Sequence, residues 1–157
     1  MRIHLQALGC RLNEAELESW ARQFQQRGHA LSTDANAADL VVVNTCAVTQ
    51  EAVRKSRKLL RRTQRENPTA KLVVSGCFAS LESESLARDA GIDLIVQNRD
   101  KDRLVEIASA ELELPSMPAT AMESDSNPLF ARGRQRAFIK VQDGCRYRCS
   151  FCIVTLA

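Results

Sequence analysis

Long apolar runs are missing from this sequence. The longest, such as LVVV at positions 40–43, fall far short of the about 20 residues that a membrane-crossing helix needs. The opening residues, MRIHLQALGC, carry no extended apolar run behind a basic start, so no signal peptide is expected. A cytoplasmic chain without membrane contact is the expectation. Internal repeats and low-complexity tracts are absent as well. Neither sign of charge dominates: the net charge is +3, too mild for bulk charge alone to argue for a nucleic-acid partner. What remains is ordinary for a soluble protein, with 45% hydrophobic and 26% charged residues, enough to build a core.

The six cysteines stand out against this background. Their even number would suit a disulfide framework. In a reducing compartment, however, disulfides are rare, and clustered cysteines point instead to metal ligands or catalytic thiols.

Short apolar runs alternate with helix-like segments. IHLQAL (3–8) reads as a strand and NEAELESWARQFQQRG (13–28) as a helix closed by Gly28. HALST is a candidate short strand, and LVVVNT (40–45) a strand apolar on both faces, as parallel strands are. A helix is expected over about 50–66, stopped by Asn67-Pro68, then a strand at KLVVSG (71–76). SLESESLARDAG reads as one helix, DLIV (93–96) as a strand, and KDRLVEIASAEL as a last helix. This alternation implies an α/β fold: a doubly wound parallel sheet, covered on both faces.

The texture then changes. LPSMPATAMESDSNPLFARG, with three prolines, reads as a linker, and QRAFIKVQ as the first strand of something new. The expected organisation is a domain over 1–112, a linker over 113–134, and the start of a second domain over 135–157. So few residues cannot build a core, so the second domain is expected to be cut short and the chain a fragment.

Cys10, Cys46 and Cys77 each follow an expected strand: IHLQALGC, LVVVNTC, KLVVSGC. In a parallel sheet these positions share the carboxyl edge, where ligands bind at the topological switch point. With a flavodoxin-like order 2-1-3-4-5, the three strands are neighbours at ~4.8 Å spacing, and the thiols come within reach of one cluster. Gly9 and Gly76 precede two of them and permit tight turns or close backbone approach. Ordinary buried cysteines, or a zinc site lacking a fourth ligand, are the alternatives. His4 and His29 belong to the opposite edge and read as structural.

The other three cysteines crowd into QDGCRYRCSFCIV. Cys145, Cys149 and Cys152 would also mark a stripe on a helix, but Gly144 argues for a loop. A structural zinc knuckle or a fully ligated cubane would want four protein ligands. Three thiolates suit a cubane iron–sulfur cluster with one iron left open to an exogenous ligand.

CRYRCSFC, with its C-x3-C-x2-C spacing and an aromatic before the last cysteine, resembles the radical S-adenosylmethionine signature. GCRLNEAELES, ADLVVVNTCAVTQEAVRKSRKLLRR and KLVVSGCFA resemble the three N-terminal motifs of the methylthiotransferases, and RAFIKVQDGC the start of their radical domain. The resemblance covers essentially the whole chain but about the first third of a typical member. It implies a flavodoxin-like N-terminal domain, then the truncated start of a partial TIM barrel, with the rest of the barrel and an RNA-binding domain beyond. It also implies two 4Fe-4S clusters. Cys10, Cys46 and Cys77 would hold an auxiliary one. Cys145, Cys149 and Cys152 would hold the one that binds S-adenosyl-L-methionine, with Phe151 beside the adenine.

The run after NTC most resembles the MtaB-like branch, which acts on threonylcarbamoyladenosine beside the tRNA anticodon. Sister branches act on isopentenyladenosine or on a ribosomal-protein aspartate. Arg146-Tyr147-Arg148 replaces the more usual Asn-Asn-Phe, and Thr155 stands where proline is frequent; neither change removes a ligand. In this family the reduced cluster cleaves S-adenosylmethionine to a 5′-deoxyadenosyl radical that abstracts hydrogen from an unactivated C–H. The auxiliary cluster carries or delivers the sulfur, which a second S-adenosylmethionine methylates. An electron donor such as flavodoxin or ferredoxin and a sulfur source are thereby implied, with no side chain as general acid or base. The rivals from other classes are a non-catalytic iron–sulfur redox protein and a zinc-stabilised RNA-binding module.

One further segment is unusual. Arg54, Lys55, Arg57, Lys58, Arg61, Arg62 and Arg65 put seven positive charges into twelve residues, with acids only at the flanks, Glu51 and Glu66. Such a face can neutralise RNA phosphates, or simply be solvated or packed against further domains. No aromatic residues interleave to stack bases.

Overall fold

The computed structural model describes residues 1–88 and 91–115, together with positions 141, 145, 147, 149, 150 and 152. Five parallel strands form one sheet: β1 (Arg2–Ala7), β2 (Ala30–Leu31), β3 (Leu40–Thr45), β4 (Lys71–Gly76) and β5 (Leu94–Val96), in the order β2-β1-β3-β4-β5. This is the doubly wound, flavodoxin-like arrangement expected from the alternation of elements. The order reverses at β1, so the switch point lies between β1 and β3. The linker over 116–134 and most of the expected strand QRAFIKVQ lie outside the described residues, as does Phe151.

Alternate residues of β3 feed opposite cores, which is why its first four residues, Leu40–Val43, are all apolar. Leu40 and Val42 join α1 (Arg11–Gln26) and α5 (Leu104–Glu111), where Trp20, Phe24 and Leu104 are buried. Val41 and Val43 face the other way, toward Leu60 of α2 (Gln50–Glu66), Phe78 of α3 (Cys77–Leu81) and Leu86 of α4 (Ser83–Leu86). Such two-sided burial is the mark of a parallel sheet.

Local signals account for the helix ends. Thr49 caps α2 by accepting from the Ala52 amide at 3.1 Å, Glu51 lies in the first turn and Arg65 in the last, and Pro68 follows the end. Asn67 then stitches the turn to the segment before β3, its amide donating to the carbonyls of Ala35 and Ala38 at 2.9 Å each.

Two expectations need correction. The single helix expected over 80–91 is two short ones, since α3 starts at Cys77 and the chain leaves helical geometry at Glu82 (φ −113°, ψ 24°). The last helix is preceded by a 3-10 segment, Asn98–Arg103, whose Trp20 indole–Lys101 carbonyl bond of 2.9 Å pins it to α1.

Candidate thiol site at the carboxyl edge

Strand register brings the first three cysteines to one edge. Asn44 pairs with Ser75 and Thr45 with Gly76, so the next positions outward are Cys46 and Cys77. On the other side of β3, Ala7 pairs with Asn44, and the chain continues through Gly9 to Cys10, the cap residue of α1. Gly9 (φ +110°) presses so closely on Cys46 that a β-carbon there would stand 2.5 Å from Cys46 Cβ and 2.7 Å from its sulfur. All three thiols are free: Cys46 is buried, Cys77 half-buried and Cys10 exposed, so the group opens outward from the sheet.

Hydroxyls and amides hold this edge. Ser56 of α2 accepts from the Cys46 amide at 3.3 Å and donates to the Cys46 carbonyl at 3.0 Å. Thr45 donates to the Ser75 carbonyl at 2.6 Å and accepts from the Ala79 amide at 3.1 Å, fixing the start of α3. The Asn13 amide donates to the Leu8 carbonyl at 2.6 Å, and its carbonyl oxygen lies 3.6 Å from the Cys10 thiol. Asn98 donates to Cys77 Sγ at 3.7 Å. Beneath them runs a buried pair, Lys101 Nζ to Glu16 Oε1 at 2.7 Å, with Glu16 Oε2 accepting from Asn44 at 2.8 Å.

Burial pushes the Cys77 thiol above its ordinary pKa, and the Asn98 amide pulls it back; Cys46 raises it, Lys101 lowers it and Cys10 raises it again. Among the described residues, no three His, Cys, Asp or Glu side chains stand close enough to hold a single metal ion. A tetrahedral zinc with Zn–S bonds of about 2.3 Å would need sulfurs ~3.8 Å apart. A cubane binds each thiolate to a different iron and takes a wider set. The three donors here are all soft thiols, carried just past the ends of adjacent strands.

The second set is described at fewer positions. Cys149 is exposed, Cys145 and Cys152 are half-buried, and the Cys152 amide donates to the Cys149 carbonyl at 3.1 Å, a turn between two of the three. All seven basic residues of α2 are exposed.

Residues 2–97 match the Uncharacterized protein family UPF0004. The chain belongs to that family. It is also similar to three proteins named threonylcarbamoyladenosine tRNA methylthiotransferase MtaB. The one from Chlamydia pneumoniae is 38% identical over 96% of this chain and 34% of its own length. That from Aquifex aeolicus is 32% identical over 100% and 40%, and that from Bacillus subtilis 31% over 99% and 36%. The chain thus spans a third to two fifths of the curated relatives it matches. The UPF0004 match ends just past β5, so it takes in all three strand-end cysteines.

Several supporting residues escape sequence reading. Asn44 hides inside an apolar strand, and Ser56 sits among arginines. Glu16 and Lys101 look like surface charges until the fold pairs them. Asn13, three residues after Cys10 at a helix start, is the one with a readable signal, because short polar side chains there bond the local backbone.

Proposed function

We propose that this chain forms the sulfur-handling part of a radical S-adenosylmethionine methylthiotransferase. The reaction would place a methylthio group on C2 of N6-threonylcarbamoyladenosine next to the tRNA anticodon. The observation that carries the reading is the convergence of three free thiols at the carboxyl edge of β1, β3 and β4. The names of the relatives supply the substrate. Cys10, Cys46 and Cys77 would hold an auxiliary 4Fe-4S cluster. Cys145, Cys149 and Cys152 would hold a second, with an iron open to S-adenosyl-L-methionine and Phe151 beside its adenine. When bound, these cofactors supply the radical cleavage and the sulfur.

The chain's own residues position and insulate. Gly9 keeps the approach to Cys46 free of side-chain bulk. Ser56 fixes the Cys46 backbone, and the Asn98 amide gives the Cys77 sulfur a hydrogen bond that favours the thiolate. An electron donor such as flavodoxin or ferredoxin and a sulfur source complete the requirement, and a cytoplasmic setting suits both. Because the relatives are more than twice as long, the 157 residues alone are expected to show no turnover.

Anaerobic reconstitution with iron and sulfide counting tests this on the chain and on two triple alanine variants, at Cys10/Cys46/Cys77 and at Cys145/Cys149/Cys152. Each triple is expected to remove about four irons. Bound zinc, with iron uptake unaffected by either triple, would sink the reading. An EPR shift on adding S-adenosylmethionine separates the radical enzyme from a redox carrier.

A further inference from the structure

The seven basic residues of α2 are not equivalent. Lys55 pairs with Glu51 at 2.8 Å and Arg62 with Glu66 at 2.7 Å. Arg57 reaches Glu82 at 3.4 Å and lies over the Phe78 ring, 5.5 Å from its centre, so it packs α2 against α3 and the residue after it. Arg54, Lys58, Arg61 and Arg65 have no acidic partner among the described residues.

Those four stand four, three and four positions apart. At about 100° per residue they fall within an arc of ~60°, and they span ~16 Å of helix. The buried residues of α2, Ser56, Leu60 and Thr63, lie on the opposite side. The uncompensated cations thus form one straight outward ridge, while the compensated ones flank it. Helix packing dictates the buried face; it does not require all the unpaired charge on a single line.

We infer that Arg54, Lys58, Arg61 and Arg65 form a track for the phosphate backbone of an RNA strand, an inference that rests on the tRNA reading above. The ridge advances about one helical turn per cation, a step comparable to that between successive phosphates. Three of the four are arginines, whose forked donors suit phosphate oxygens. The absence of interleaved aromatics fits contact with backbone rather than with bases. The ridge starts beside the thiol edge. Ser56, two residues after Arg54, is bonded to the Cys46 backbone, so an RNA strand lying on it is held in fixed relation to that edge.

The test measures binding of the chain to a synthetic, unmodified anticodon stem-loop RNA across a salt series. The four-residue variant R54Q/K58Q/R61Q/R65Q is compared with K55Q/R57Q/R62Q. Four lost contacts should flatten the slope of log K against log salt by roughly 3 and weaken binding by about 100-fold near 0.1 M salt. The three-residue variant should change the slope by less than about 1. The pair R54Q/R61Q should give about half the full effect, and melting curves check that each variant is folded. Equal losses in the two main variants, or no RNA binding by the chain at low salt, overturn the inference. So does poly-glutamate binding as tightly through the same four residues, which would mark a docking site for an acidic protein. Iron counts on the same samples separate the readings: intact clusters without RNA binding defeat only the track, and RNA binding without clusters defeats only the chemistry.

Discussion

Replacing Gly76 with alanine probes how tightly the thiol edge is built. Gly76 closes β4 and precedes Cys77, with φ +97° and ψ −175°, a region essentially reserved for glycine. Holding a side chain there costs about 1–3 kcal/mol. A β-carbon would also press on the Thr45 carbonyl oxygen and stand 2.7 Å from the Thr45 amide nitrogen and 2.5 Å from Asn44 Oδ1. The Thr45 atoms are backbone at the end of the central strand β3, buried and hydrogen-bonded in place, which adds about 1–3 kcal/mol of overpacking. The sum, about 2–6 kcal/mol, should lower the melting temperature by roughly 8–24 °C at ~4 °C per kcal/mol. Gly91→Ala is the internal control, since Gly91 also has positive φ (+105°) but meets only the side chain of Gln64. The strain of positive φ is common to both, so thermal melts by far-UV circular dichroism should separate the two by the overpacking part alone, about 1–3 kcal/mol or roughly 4–12 °C. Equal melting temperatures would refute the argument that backbone contact with β3 makes glycine obligatory before Cys77.

Two further outcomes are expected. Lys101→Met leaves Glu16 buried without its partner and should cost about 3–5 kcal/mol, while Glu16→Leu/Lys101→Met should recover most of that; urea titrations of the double-mutant cycle check it. His29 is buried against the edge of Phe24 with its Nδ1 unpartnered among the described residues, and burial, then the chain terminus and Arg27, lowers its pKa from about 6.5. The unfolded chain therefore binds the proton more readily, and stability should fall as pH drops below about 6.5. Urea midpoints at pH values above and below that point should show the loss, and His29→Phe should flatten it.

Much of this protein is written in its residue order. LVVVNT and KLVVSG form strands at the expected positions because valine-rich runs, apolar on both faces, fit one place in an α/β fold: the middle of a parallel sheet. The helix over 50–66 is equally local, set by a threonine cap and an Asn-Pro stop. Placing cysteines just after strands was enough to predict a shared edge, since parallel strands all end on the same side. Residue order did not foretell the break at Glu82, because no glycine or proline within SLESESLARDA marks it. Nor did it separate the two classes of cation on α2, which depend on where Glu51, Glu66 and Glu82 come to rest. The burial of Lys101 and Glu16 was likewise a tertiary decision: a charge goes inside only where a partner from a distant segment meets it. Periodicity and spacing are properties of neighbours along the chain and could be read directly. Partnership between distant side chains exists only once the sheet has brought them together.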